Sequence, residues 1–115
     1  MSQLDELMDI FGTELKRGTL SLAVMSQLRQ PQYGYLLLQN LSEKQFSVEA
    51  GTLYPLLRRL EKQGVLRCDW DTTESRPRKY YVLSELGERV LDNLTESWKE
   101  MTRQMSQLLG GESWN

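Results

Sequence analysis

Leu91, Leu94, Trp98, Met101, Met105 and Leu108 recur in alternating steps of three and four residues. This is the a/d seam of a helix that packs along another helix, sustained for nearly three heptads. A chain of 115 residues forms one domain. Folding buries roughly two-thirds of its extended surface, so its core is small and little is left to cover such a stripe. The stripe therefore predicts a twin chain lying along a long last helix, with those six residues as the dimer interface. Ser84 is placed to cap that helix, which reaches about Leu109 and ends at Gly110-Gly111.

Ahead of it the periodicity changes several times. Leu4, Leu7, Met8 and Phe11 suggest a short amphipathic arm, ended by Gly12, with Thr13 capping the next helix. Helical spacing resumes from Glu14 to Leu28, and Gln30-Pro31-Gln32 breaks it. A second short helix is expected from about Tyr33 to Leu41, then a polar turn from Ser42 to Ser47. Ser47 is a candidate N-cap for a third helix running to Gln63 and stopped by Gly64. Pro55 leaves two readings open there: a kink, or a regular helix that starts at Thr52 and keeps the proline in its first turn.

Two stretches of strand character follow, Leu66–Trp70 and Lys79–Leu83, with a turn-rich tip at Asp71–Pro77. Helix, helix, helix, hairpin, long helix is the order of a winged helix-turn-helix: mainly α, with a small β-hairpin and a C-terminal dimerisation helix. The divisions expected are an arm at 1–12, the winged domain at 13–83, the dimerisation helix at 84–109 and a tail at 110–115. Met-Ser-Gln-Leu occurs at 1–4, 25–28 and 105–108, but unequal spacing deprives it of structural meaning.

Composition narrows the function. There is no histidine and one cysteine, so neither imidazole acid–base catalysis nor a protein-built zinc site is expected, and no cofactor is implied. Cys68 faces the same way as Leu66 and Trp70 and reads as packing rather than as a redox switch. No apolar run approaches the length of about 20 residues that crosses a bilayer, and the acidic start lacks a secretory signal. No membrane partner and a reducing cytoplasm are the expectation. A glycine-rich phosphate loop and a paired-carboxylate site are both missing from the sequence, which speaks against an enzyme.

The net charge of −2 is unusual for a nucleic-acid binder. Its distribution matters more, because salt screens charges beyond about 8 Å. Residues 52–83 carry seven basic and four acidic side chains, a local +3, while both flanks are acidic. On the third helix, Leu53, Leu57 and Leu60 fall on one stripe, which must face the core. Gly51, Pro55, Arg58 and Lys62 fall on the opposite side. The small residues permit close approach to a DNA groove, and Arg58 suits a phosphate or a guanine edge. Arg76, Arg78 and Lys79 surround Pro77 near the hairpin tip and suit the DNA backbone or minor groove. A solvated basic face and simple edge protection are the alternatives.

Gly51-Thr52-Leu53-Tyr54-Pro55-Leu56-Leu57-Arg58-Arg59-Leu60-Glu61 resembles the recognition helix of PadR-like transcriptional regulators. Tyr33-Gly34-Tyr35 resembles the start of their second helix. Arg76-Pro77-Arg78-Lys79-Tyr80-Tyr81, with Leu83-Ser84 and Gly87, resembles their second wing strand and its exit. The resemblance spans roughly residues 16–109 in consistent order. It implies a dimeric repressor of double-stranded palindromic operators, with Tyr35, Thr52, Tyr54, Arg58, Arg76 and Lys79 at DNA. The wing tip Thr73-Glu74-Ser75 departs from the family, where glycines are common. Glu96-Ser97-Trp98 is similar to the segment that, in multidrug-sensing members, stacks flat aromatic effectors at the dimer interface. Filling of the dimer core is the other reading of Trp98. A winged-helix dimer used for protein contacts, with weak or no DNA binding, is the alternative function.

Overall fold

The computed structural model describes residues 2–110. Gly111, Trp114 and the rest of the expected tail beyond Gly110 lie outside the described residues. The elements in chain order are α1 (Gln3–Arg17), α2 (Leu20–Ser26), β1 (Gln32–Tyr33), α3 (Gly34–Glu43), α4 (Ala50–Lys62), β2 (Leu66–Asp71), β3 (Arg78–Leu83) and α5 (Glu85–Leu108).

The arm does not end at Gly12. α1 passes through it without a break, and the Thr13 hydroxyl donates back to the Asp9 carbonyl at 2.7 Å instead of capping a new helix. A glycine inside a helix costs about 1 kcal/mol relative to alanine. That is too little to break an element whose ends are so well made. Ser2 accepts from the Asp5 amide and Asp5 accepts from the Ser2 amide, a capping box, while Lys16 and Arg17 suit the negative C-terminal end. The actual break comes at Gly18-Thr19.

α2, α3 and α4 close around Val24, Met25, Leu28, Leu37, Leu53 and Leu57, all essentially without solvent contact. Between α3 and α4 the chain turns at Gln45, whose φ of 64° is left-handed, and Phe46 N–H donates to the Leu41 carbonyl at 2.8 Å. Ser47 is not the cap expected of it. Residues 47–49 stay outside the helix, and Glu49 takes the N-cap position without a side-chain bond. Because α4 begins at Ala50, Pro55 lies beyond its first turn, on the exposed face. The Gly51 carbonyl thereby loses the amide partner that any other residue at 55 would supply.

The sheet has three antiparallel strands in the order β1-β3-β2. Tyr33 pairs with Tyr80, Cys68 with Tyr81 and Trp70 with Lys79. β1 was not expected, since two residues show no alternation. α5 leaves the sheet through a tight joint. Ser84 Oγ accepts from Gly87 N–H at 2.9 Å and donates to the Gly64 carbonyl at 2.6 Å, and Ser84 N–H donates to Val65. A Cβ at Gly87 would collide with the Val65 carbonyl oxygen, so only glycine lets the two backbones approach this closely.

Candidate nucleic-acid interface

α4 separates its faces cleanly. Leu53, Leu56, Leu57 and Leu60 are buried, while Gly51, Thr52, Pro55, Arg58, Arg59 and Lys62 are exposed. Arg58 and Lys62 make no ion pair among the described residues. Among the described residues Arg59 reaches only the Ser21 hydroxyl, at 3.4 Å. Tyr54 sits half-buried against α3, where a Cβ added at Gly34 would lie 2.6 Å from its ring. The Tyr33-Gly34-Tyr35 glycine is thus explained by packing, and Tyr54 presents only part of its ring outward.

The hairpin sorts its cations by strand alternation. Tyr81 and Leu83 face the core, and Lys79 shares their side. Its ammonium meets Glu61 of α4 at 3.3 Å and lies near the rings of Tyr81 and Trp70. Lys79 therefore ties the sheet to α4 rather than standing out at the tip. The Cys68 thiol and Lys79 hold Glu61 below the usual carboxylate range. Burial, then the adjacent Glu61, pushes the Cys68 thiol up to about 11, which leaves little reactive thiolate at neutral pH.

Arg78 takes the other side, with Tyr80. Its guanidinium lies 4.6 Å from the centre of the Tyr33 ring and donates to Tyr35 Oη at 3.1 Å. It also pairs with Glu74 at 3.0 Å. Tyr33 and Tyr35 stack with centroids 6.0 Å apart, and the Tyr33 hydroxyl donates to Asp71. That bond raises the Tyr33 pKa and, with two further bonds from Thr73, holds the Asp71 carboxyl down to about 2. Tyr35 is half-exposed at this cluster, and Arg76 is exposed and free of ion pairs among the described residues.

Of the seven cations between residues 52 and 83, Glu61 and Glu74 neutralise two. Arg58, Arg59, Lys62, Arg67 and Arg76 have no carboxylate partner among the described residues. Sequence spacing also missed Lys16 and Arg17. The end of α1 brings them into a groove of about 480 Å³ beside Thr52 and the start of α4, with Lys16 6.0 Å from the Phe46 ring.

The expected dimer seam divides. Leu91 is only 2% exposed and belongs to the core of its own chain. The open stripe starts one step later and comprises Leu94, Trp98, Met101, Met105 and Leu108, from 36% to 78% exposed. α1 buries no residue at all and leaves Leu4, Leu7, Met8, Ile10, Phe11 and Leu15 in solvent.

Three packed helices, the last of them with a bare polar face, and an adjoining two-stranded wing define the winged helix-turn-helix class. A sequence profile described as the transcriptional regulator PadR-like family matches residues 22–93. A crystal structure of a PadR family transcriptional regulator from Eggerthella lenta is 44% identical, with a TM-score of 0.87, over 92% of this chain and 95% of that one. A PadR-like transcription factor of Bacteroides fragilis is 36% identical, with a TM-score of 0.72, over 85% and 97%. A transcriptional regulator of Mycobacterium tuberculosis is 31% identical over 87% of this chain and 92% of its own. The chain belongs to the PadR-like family of transcriptional regulators. It is a regulator and not an enzyme, and DNA binding is what the family implies for it. No helix among the described residues is long and apolar enough to cross a membrane.

Proposed function

We propose that this protein is a cytoplasmic homodimeric repressor that reads a palindromic operator with one α4 in each half-site. The observation that carries the proposal is the bare Gly51–Pro55–Arg58–Lys62 face, backed by a fully buried leucine face on the same helix. Gly51 and Thr52 let the helix enter a groove, Arg58 reaches base edges or phosphate, and Arg76 meets the flanking backbone. Tyr35 and the exposed part of Tyr54 border this surface. Lys79 acts through Glu61, fixing the angle between recognition helix and wing. Five cations without carboxylate partners among the described residues favour DNA over the protein-contact alternative, despite the net charge of −2.

The two-fold arrangement draws its support from the open apolar stripes on α5 and α1. A second copy would cover both and set two recognition helices about one DNA turn apart. Trp98, 45% exposed within the α5 stripe, is the natural platform for a flat aromatic effector that loosens the operator complex.

The test is an anisotropy titration on the DNA upstream of the protein's own gene and its neighbours. Arg58→Ala is expected to weaken binding by about 1–3 kcal/mol and to relax preference at one base position. Unchanged affinity and specificity would remove α4 from the DNA.

A further inference from the structure

The wing contains a guanidinium built like an anion site, and a carboxylate already occupies it. Arg78 is held on two sides by the body of the protein: the Tyr33 ring beneath it at 4.6 Å and Tyr35 Oη at 3.1 Å. Both tyrosines are themselves fixed, by their mutual stacking and by the bond from Tyr33 to Asp71. The third partner is different in kind. Glu74 comes from the exposed tip, meets Arg78 Nη2 at 3.0 Å and keeps 65% of its side chain in solvent.

A guanidinium fork accepts carboxylate and phosphate oxygens with the same geometry. We propose that Arg78 is a DNA phosphate ligand and that Glu74 holds its place in the free protein, to be displaced by the backbone when DNA binds. The inference rests on the DNA-binding reading above. Stacking on Tyr33 leaves Arg78 little side-chain freedom to lose, which favours capture of a phosphate over capture by a free-swinging cation. Exposed ion pairs are weak, so Glu74 acts as a threshold and not as a block. The exchange is expected to reduce affinity roughly two- to fivefold for each wing engaged. Arg58, Lys62 and Arg76 lack such a competitor among the described residues, so this threshold is peculiar to the wing base.

Phosphate contacts are independent of sequence, so a mixed-sequence duplex of about three helical turns at low salt is a sufficient probe. Full-length protein, Glu74→Gln, Arg78→Met and the double variant are titrated by fluorescence anisotropy, each with its thermal midpoint recorded. Glu74→Gln is expected to tighten binding roughly two- to fivefold per wing, and Arg78→Met to weaken it. In the double variant the gain from Glu74→Gln is expected to vanish. A gain of equal size without Arg78 would mean that Glu74 merely repels DNA, and would overturn the proposal, as would no gain at all. Should Arg78→Met lower the thermal midpoint, Arg78→Gln, which keeps a donor for Tyr35 but no charge, replaces it, and the gain must vanish there too. Failure of the wild type to bind the duplex defeats the DNA-binding reading and this inference with it. Binding without a gain defeats the inference alone.

Discussion

The winged body and the two outer helices are equally well formed locally, yet they treat apolar surface in opposite ways. In the body, Leu53 and Leu57 of α4 and Leu37 of α3 are wholly enclosed by their own chain. α1 encloses nothing, and beyond Leu91 α5 exposes every large apolar residue of its seam. Helix quality does not account for the difference, because α1 has a capping box and α5 a serine cap. Partners do. A capped amphipathic sequence suffices to make a helix, while tertiary contact decides what its apolar stripe is worth. The body's stability is therefore intrachain, and that of the outer helices depends, in the proposed dimer, on concentration.

The joint between the two regions offers the largest perturbation. Gly87→Ala drives a methyl into the Val65 carbonyl, a backbone atom that cannot step aside without separating α5 from the sheet. Loss of about 4 kcal/mol or more is expected. Circular dichroism melts would read it, and a near-native midpoint would show that the joint yields.

Leu57→Ala and Met101→Glu then separate the regions themselves. Leu57 is fully buried, so its truncation is expected to cost about 2–5 kcal/mol at every protein concentration. Met101 is half in solvent, and a carboxylate there should leave the isolated body unharmed. Burying that charge in a two-fold interface costs about 2 kcal/mol or more, at least roughly thirtyfold in the dimer Kd. Sedimentation velocity across a dilution series tests this. A wild-type protein that stays monomeric at every concentration breaks the comparison outright.

How much of this could be read from residues alone follows the same division. The inward leucines of α4, the two long strands and the Ser84 cap were legible because each depends on period or on capping chemistry within one element. Leu91 was not separable from Leu94, since a heptad pattern does not say which chain covers its first knob. The continuity of α1 was lost because Gly12-Thr13 imitates a stop and a cap, whereas matched charges and the capping box carry the helix through. β1 is two residues long and owes its existence to Tyr80 and Tyr81 opposite. Lys79 and Arg78 look alike in sequence, and alternation assigns them to opposite faces only once the strand is known to begin at Arg78. The Arg78 cluster joins residues more than forty positions apart, which no local pattern announces.

Arg76→Ala bears on the wing's outer edge and is expected to have a smaller effect. Arg76 makes no ion pair among the described residues, so its removal should leave the fold intact. Binding should weaken about equally on all sequences, and the slope of log affinity against log salt should fall by about 1 for each phosphate that Arg76 neutralises. An unaltered slope would take Arg76 off the backbone.

The smallest expected effect is confined to the wing base and tests whether that region is self-contained. Asp71 accepts from Tyr33 and twice from Thr73, and these bonds hold its carboxyl at about 2, against 3.8 for a free aspartate. Because the folded value is depressed, the contribution is complete above the free value and fades as pH falls through about 2. The Thr73 amide, which donates to Asp71 at 3.0 Å, is a local reporter. Its NMR titration midpoint should lie near 2, rise toward the free value in Tyr33→Phe, and disappear in Asp71→Asn. Since the partners that Asp71 has are in the same chain, the midpoint should also be identical in dilute and concentrated samples, unlike any property of the α5 stripe. A Thr73 midpoint at the free aspartate value would show the wing base to be loose, and one that moves with concentration would place it at an interface.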